Sequence, residues 1–122
     1  MRKRSATNRA PDARASLLQW VRDRLAPLAS KGLPEIRDLH GSWRSGALFA
    51  GLIHSHNRSL LPNGLEAFID AHDSPHLWAD HLACLFSLAD KALGIPALLD
   101  PSDLVGVETP DERSVMTYLS QY

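Results

Sequence analysis

The chain has a single cysteine, Cys84, so it cannot close an internal disulfide. At 122 residues it does not need one, because a chain of this length buries about two-thirds of the surface its unfolded form exposes. There is no CxxC pair, no glycine-rich phosphate loop, no internal repeat, and no apolar run near the roughly 20 residues of a membrane helix. The N-terminus lacks the apolar segment of a signal peptide. A cytoplasmic, reducing setting is therefore expected.

An excess of either sign of charge is also lacking, at a net -1, but the charge is unevenly placed. Residues 1–14 carry Arg2, Lys3, Arg4, Arg9 and Arg14 against Asp12 alone, a charge of +4, and the remaining 108 residues carry -5. The segment MRKRSATNRAPD has too little apolar surface to offset its ordering entropy. Residues 1–14 are expected to form a flexible basic arm or linker, and residues 15–122 one domain. An acidic body of this kind is not a nucleic-acid surface.

What is present is helical periodicity. From Ala13, the residues Leu17, Leu18, Val21, Leu25 and Leu28 fall on one face at 3.6 residues per turn, until Pro27, Gly32 and Pro34 break the pattern. The stretch SWRSGALFAGLIHSH, residues 42–56, predicts a second helix with Ser42 as N-cap and an apolar stripe of Leu48, Phe49, Leu52 and Ile53. Gly46, Ala47, Ala50 and Gly51 allow a neighbouring helix to approach closely. Residues 65–71 are expected to add a short turn. Ser74-Pro75 opens a helix of roughly 19 residues, the longest and most central, which stops at Gly94. A further turn follows at Asp100-Pro101-Ser102-Asp103. Thr109-Pro110-Asp111-Glu112 carries the spacing of a capping box, with Thr109 as cap, before a last helix that buries Val115, Met116, Leu119 and Tyr122. No strand signal competes, so the expected fold is all-α, with four main helices and short connecting helical turns.

The groups that suggest chemistry do not assemble into it. His54 and His56 lie two residues apart on a helix, so their side chains point about 200° apart and share one ion poorly. His72 and His76 are separated by the Ser74-Pro75 break. His54 is expected to pack in the core with a backbone partner for its ring. Cys84 has Asp80 and His81 on the preceding turn, but its acidic and apolar neighbours do not make an activated thiolate, and it is expected near the buried face. Trp20, Trp43 and Trp78 are read as core residues rather than a platform for bases. No catalytic residue, metal site or cofactor is assigned.

Three motifs, LLQWVRDRL from Leu17, SWRSGALFAGLIHSH from Ser42, and LADKALGIPALLDPSDLV from Leu88 leading to PDERSVMTYLSQY, resemble the calponin-homology domain in order and spacing. They cover nearly all of residues 15–122. Within that family the chain is similar to the second domain of the tandem actin-binding pair of filamins, α-actinins and spectrins. The resemblance implies a four-helix domain and actin-filament binding in a cytoskeletal cross-linker, without catalysis. Ser45 replaces a commonly acidic residue and Arg58 a commonly prolyl one, which should alter local capping more than fold.

The resemblance implies a filament contact on the first helix, at Arg14, Gln19, Arg22 and Arg24, although the same residues equally suit an ordinary solvated face. It also implies a phosphoinositide-headgroup contact at Lys31, Arg37 and Arg44, diluted by Glu35 and Asp38. Since the body is acidic, the domain is expected to support and regulate filament attachment rather than provide most of the affinity. The expected partners are F-actin, an upstream calponin-homology domain in a longer protein, and phosphoinositide headgroups. The expected location is the cytoplasm, cytoskeleton and cell cortex. The alternative is a stand-alone scaffold or adaptor domain that binds a signalling protein or microtubules.

Overall fold

The computed structural model describes residues 9–61 and 64–122, with side-chain surroundings from residue 13 onward. Five α-helices follow in order: α1 (Arg9–Leu25), α2 (Ala47–His56), α3 (Leu65–Asp70), α4 (Trp78–Leu93) and α5 (Glu112–Leu119). Single helical turns at Ala26–Lys31, Gly41–Trp43, Ala71–Asp73, Pro75–Leu77 and Pro101–Asp103 connect them. Among the described residues there is no strand. The four main helices are α1, α2, α4 and α5, and the short turn expected at residues 65–71 is α3.

Helix α1 buries Val21 and Leu25, and Leu28 continues that face from the following turn, where Pro27 sits at a helix N-terminal position that needs no N–H donor. The helix begins at Arg9, ahead of the expected Ala13. Residues 1–8 of the expected arm lie outside the described residues.

Helix α2 is the centre of the domain, because every residue from Ala47 to Ile53 is buried. A helix that is apolar all round can only be stable when it is surrounded, and α1, α3 and α4 pack against it. Its small residues permit this. A Cβ on Gly51 would stand 3.0 Å from Leu25 Cδ2, and one on Gly46 would stand 3.1 Å from Leu85 Cδ1. The approach expected from α4 is thus made at Gly46, while Gly51 admits α1.

Three expected helix starts are corrected. Ser42 does not cap α2: its hydroxyl accepts the Arg37 N–H at 3.0 Å and its own N–H donates to Asp38 Oδ1 at 2.9 Å, which folds the turn around Trp43. Helix α2 starts after Gly46, whose φ of 86° favours glycine, and the Ser45 hydroxyl accepts the Ala47 N–H at 3.3 Å. Thr109 does not cap α5, since Asp111 accepts the Ser114 N–H at 3.1 Å. Ser74 makes no side-chain cap bond either. Residues Pro75–Leu77 form a separate turn, so α4 has 16 residues against 17 in α1. Gly94 ends α4 in the left-handed conformation, as expected, with φ 70°.

The core is knit by aromatic rings from distant segments. Phe49 of α2 meets Trp43 at 4.9 Å, Phe86 of α4 at 5.4 Å and Tyr118 of α5 at 5.6 Å between ring centroids. The Trp43 indole N–H donates to the Asp38 carbonyl at 3.0 Å, so the largest core side chain is also anchored by its polar atom.

Candidate functional site

The four residues assigned to filament contact share α1 but not one surface. Arg14 pairs with Glu112 of α5 at 3.1 Å, and Gln19 donates to Asp23 at 2.7 Å. Arg22 and Arg24, two positions apart, point about 200° apart on the helix. Arg22 reaches the Ile36 carbonyl at 3.0 Å, whereas Arg24 turns toward the end of α2. Arg14 lines a cleft of about 890 Å³ between α1 and α5, together with Leu17, Trp20 and Met116. Trp20 is 37% exposed at this cleft, which corrects its assignment to the core. The buried line of α1 runs through Val21 and Leu25, and Trp20 stands about 100° off it.

Of the three cations assigned to a headgroup, Arg37 and Arg44 line one cleft of about 400 Å³, with Glu35, Asp38 and Ser42. Lys31 lies outside it and sits 4.0 Å from Glu66. Arg37 pairs with Glu35 at 3.2 Å. The Arg44 guanidinium donates to the carbonyls of Val107, at 2.8 Å, and Glu108, which ties the Trp43 turn to the loop before α5. Burial by itself pushes the Asp38 carboxyl up, but N–H donors from Ser42 and His40 and the nearby His40 ring outweigh it and hold the group below its ordinary value. A carboxylate therefore stays in this cleft at neutral pH, in competition with an anionic ligand.

Two arginines and two histidines are brought together elsewhere without any carboxylate. Arg24, His54, His56 and Arg58 line a cleft of about 480 Å³ floored by Pro27 and Leu28. Arg24 Nε donates to Ser55 Oγ at 3.0 Å, and its Nη2 reaches the Ser55 carbonyl at 3.4 Å and His56 Nδ1 at 3.3 Å. Arginine only donates, so His56 Nδ1 accepts and the proton of the neutral ring sits on Nε2. Burial and then the Arg24 charge hold His56 below its ordinary value. The sequence reading missed this grouping because Arg24 and Arg58 are 34 positions apart and meet only when α1 lies along α2. The one available signal was the cluster of His54, His56 and Arg58.

Two further expectations are corrected. His54 was expected to find a backbone partner, yet its Nδ1 is buried with none among the described residues. Cys84 is exposed, because the buried line of α4 runs through Leu82, Leu85, Phe86 and Ala89 and leaves position 84 facing outward. The Ser45 hydroxyl lies 2.9 Å from His72 Nδ1, so this buried polar group is paired. Among the described residues no three His, Cys, Asp or Glu side chains stand close enough to hold a metal ion, and no helix is long and apolar enough to cross a membrane.

The profile of the family described as the calponin homology (CH) domain matches residues 11–122. The chain is 39% identical over 109 residues to MICAL-like protein 1 of Homo sapiens, covering 89% of this chain and 12% of that protein. It is 36% identical over 110 residues to alpha-actinin-1 of Homo sapiens and to alpha-actinin of Dermatophagoides farinae, covering 90% of this chain and 11% of each. The chain thus spans about an eighth of the length of MICAL-like protein 1 and less of the others.

Proposed function

The chain belongs to the calponin-homology family, and from that premise we propose that it is an actin-filament-binding module of the second-domain type, a binding domain rather than an enzyme. In this reading it supports and regulates the attachment of a longer cytoskeletal protein, acting beside an upstream calponin-homology domain in the cytoplasm and at the cell cortex. The observation that carries the reading is the similarity to α-actinin over 90% of the chain. The supporting role follows from charge. Residues 15–122 carry -5, and an acidic body gains no long-range attraction toward an acidic filament beyond a Debye length of about 8 Å.

Support for the contact assigned to α1 divides between two faces: Arg14 shares its cleft with exposed Trp20, exposed Arg22 stands on another face, and Arg24 is turned into α2. Headgroup contact at Lys31, Arg37 and Arg44 is supported by the cleft that Arg37 and Arg44 share, and requires both to exchange their present partners. Co-sedimentation with filaments tests the function directly. The chain alone should pellet weakly, and Arg22→Glu should reduce the pelleted fraction further without changing the melting temperature. Tight, saturable pelleting of the monomer would overturn the supporting role, and equal pelleting by Arg22→Glu would remove α1 from the contact.

The similarity to MICAL-like protein 1 is compatible with a second reading, a stand-alone scaffold or adaptor domain that binds a signalling protein or microtubules. The two readings part on the neighbouring reading frame: an adjoining calponin-homology domain upstream supports the tandem actin-binding role, and its absence supports the adaptor.

A further inference from the structure

The cleft formed by Arg24, His54, His56 and Arg58 differs in kind from the others. The cleft at Arg37 contains Glu35 and Asp38, and the cleft between α1 and α5 contains Glu112. The cleft at the end of α2 is lined by two guanidinium groups and two imidazoles with no carboxylate. Its two guanidinium groups, Arg24 and Arg58, are in no ion pair among the described residues.

Arg24 and His56 are positioned by side-chain contacts, and Arg58 by the backbone turn that carries it. Arg24 is half-buried, and three hydrogen bonds to Ser55 and His56 use its Nε and Nη2, so that Nη1 has no partner among the described residues. His56 is fixed by the same contact and stacks on Tyr122, with ring centroids 6.2 Å apart and 28° between planes. Because its Nδ1 accepts from Arg24, its Nε2–H is the donor it offers. Arg58 sits in a closed turn: Asn57 Oδ1 accepts the Ser59 N–H at 3.0 Å and the Ser59 hydroxyl at 2.7 Å, and the Leu60 N–H donates to the Asn57 carbonyl at 3.2 Å. One term opposes an anion here. The C-terminal end of α2 places partial negative charge on its last carbonyls, but Asn57 N–H and Ser55 Oγ already engage those of Ile53 and Leu52, and Arg24 caps that of Ser55.

We propose that this cleft binds a phosphate monoester, with Arg24 and Arg58 as the charged donors and His56 Nε2–H as the neutral one. Two guanidinium groups match the charge of a phosphate dianion better than that of a single carboxylate, and guanidinium–phosphate hydrogen bonds are the strong, charge-assisted kind. A soluble compound and a lipid headgroup present the same phosphate to it, so the recognising chemistry is shared. The site uses a different surface from Lys31, Arg37 and Arg44, and it shares Arg24 with the residues assigned to filament contact, so Arg58 is the position that tests it separately.

The test is a titration of the whole chain at low ionic strength, first with inorganic phosphate and then with inositol hexakisphosphate, followed by backbone amide shifts. Saturable shifts are expected over residues 55–59. Arg58→Glu, an exposed change outside the core, should weaken binding by about tenfold or more, while Arg37→Glu should leave it unchanged. Vesicles with and without a phosphoinositide separate the two sources. Soluble binding without sedimentation assigns a free phosphate compound, and phosphoinositide-dependent sedimentation lost in Arg58→Glu assigns a headgroup; both support the site. The absence of saturable shifts, shifts confined to the Arg37 cleft, equal binding by Arg58→Glu, or a preference for a polyglutamate peptide over phosphate would each overturn it.

Discussion

His56 shows how one side chain can carry a pH response that its position in the sequence does not announce. Its ring accepts a hydrogen bond from Arg24 and stacks on Tyr122, and burial together with the neighbouring guanidinium opposes its protonation. Arg24 from α1 and Tyr122 from beyond α5 contact the ring, and Arg58 and His54 line the same cleft. A histidine whose folded value lies below its ordinary 6.5 takes up its proton in the unfolded chain first. Its contribution to stability is therefore present above pH 6.5 and is lost as the pH falls through the folded value. Urea unfolding followed between pH 7.5 and 5.5 should show wild type losing more stability than His56→Gln. The variant keeps an acceptor for Arg24 but cannot gain the charge. Parallel pH curves for the two proteins would show that His56 does not titrate against Arg24.

At the scale of single elements, caps decide where the helices start, and here the sequence was only half legible. The capping spacing before α5 was visible as Thr109-Pro110-Asp111-Glu112, but the run holds two residues able to cap, Thr109 and Asp111. The structure selects Asp111, whose carboxylate accepts both the N–H and the hydroxyl of Ser114. Those two donors, the hydroxyl first, hold the carboxylate below its ordinary value, so it stays an acceptor at neutral pH. The two assignments predict opposite mutational patterns. Asp111→Ala should lower the melting temperature of the domain and expose the first turn of α5 to hydrogen exchange, whereas Thr109→Ala should leave both unchanged. The start of α2 was illegible for another reason. Ser42 has the composition of a cap, but Asp38, four residues earlier, captures its N–H and makes a turn of the segment instead. Asp100, by contrast, has its capping partners Ser102 and Asp103 within three residues, and that turn forms where the sequence placed it.

For the whole molecule, the legible part was what helical periodicity records: the helix count, the apolar faces and the placement of Gly94. The less legible part was how faces from distant segments meet. Arg24 and Arg58 share a cleft because α1 lies along α2, and neither residue's local pattern contains that fact. The three tryptophans make the same point energetically, since composition treats them alike and the fold does not. Trp43 has 0% of its surface exposed, packs against Phe49 at the junction of α2, α4 and α5, and donates to the Asp38 carbonyl. Truncating a buried aromatic leaves a cavity and costs about 3–5 kcal/mol, and Trp43→Ala also leaves the Asp38 carbonyl without its indole donor. Small domains are stable by only about 5–15 kcal/mol in total, so Trp43→Ala should bring the domain close to its unfolding midpoint at 37 °C. Trp20, 37% exposed on the α1–α5 cleft, has solvent to replace part of its contacts, and Trp20→Ala should cost about 1 kcal/mol, the typical value for a point mutation. Chemical denaturation of the two variants side by side checks the ranking. A Trp20 variant as unstable as the Trp43 variant would mean that the α1–α5 cleft is closed over the indole, and that α1 has no aromatic surface free for a filament.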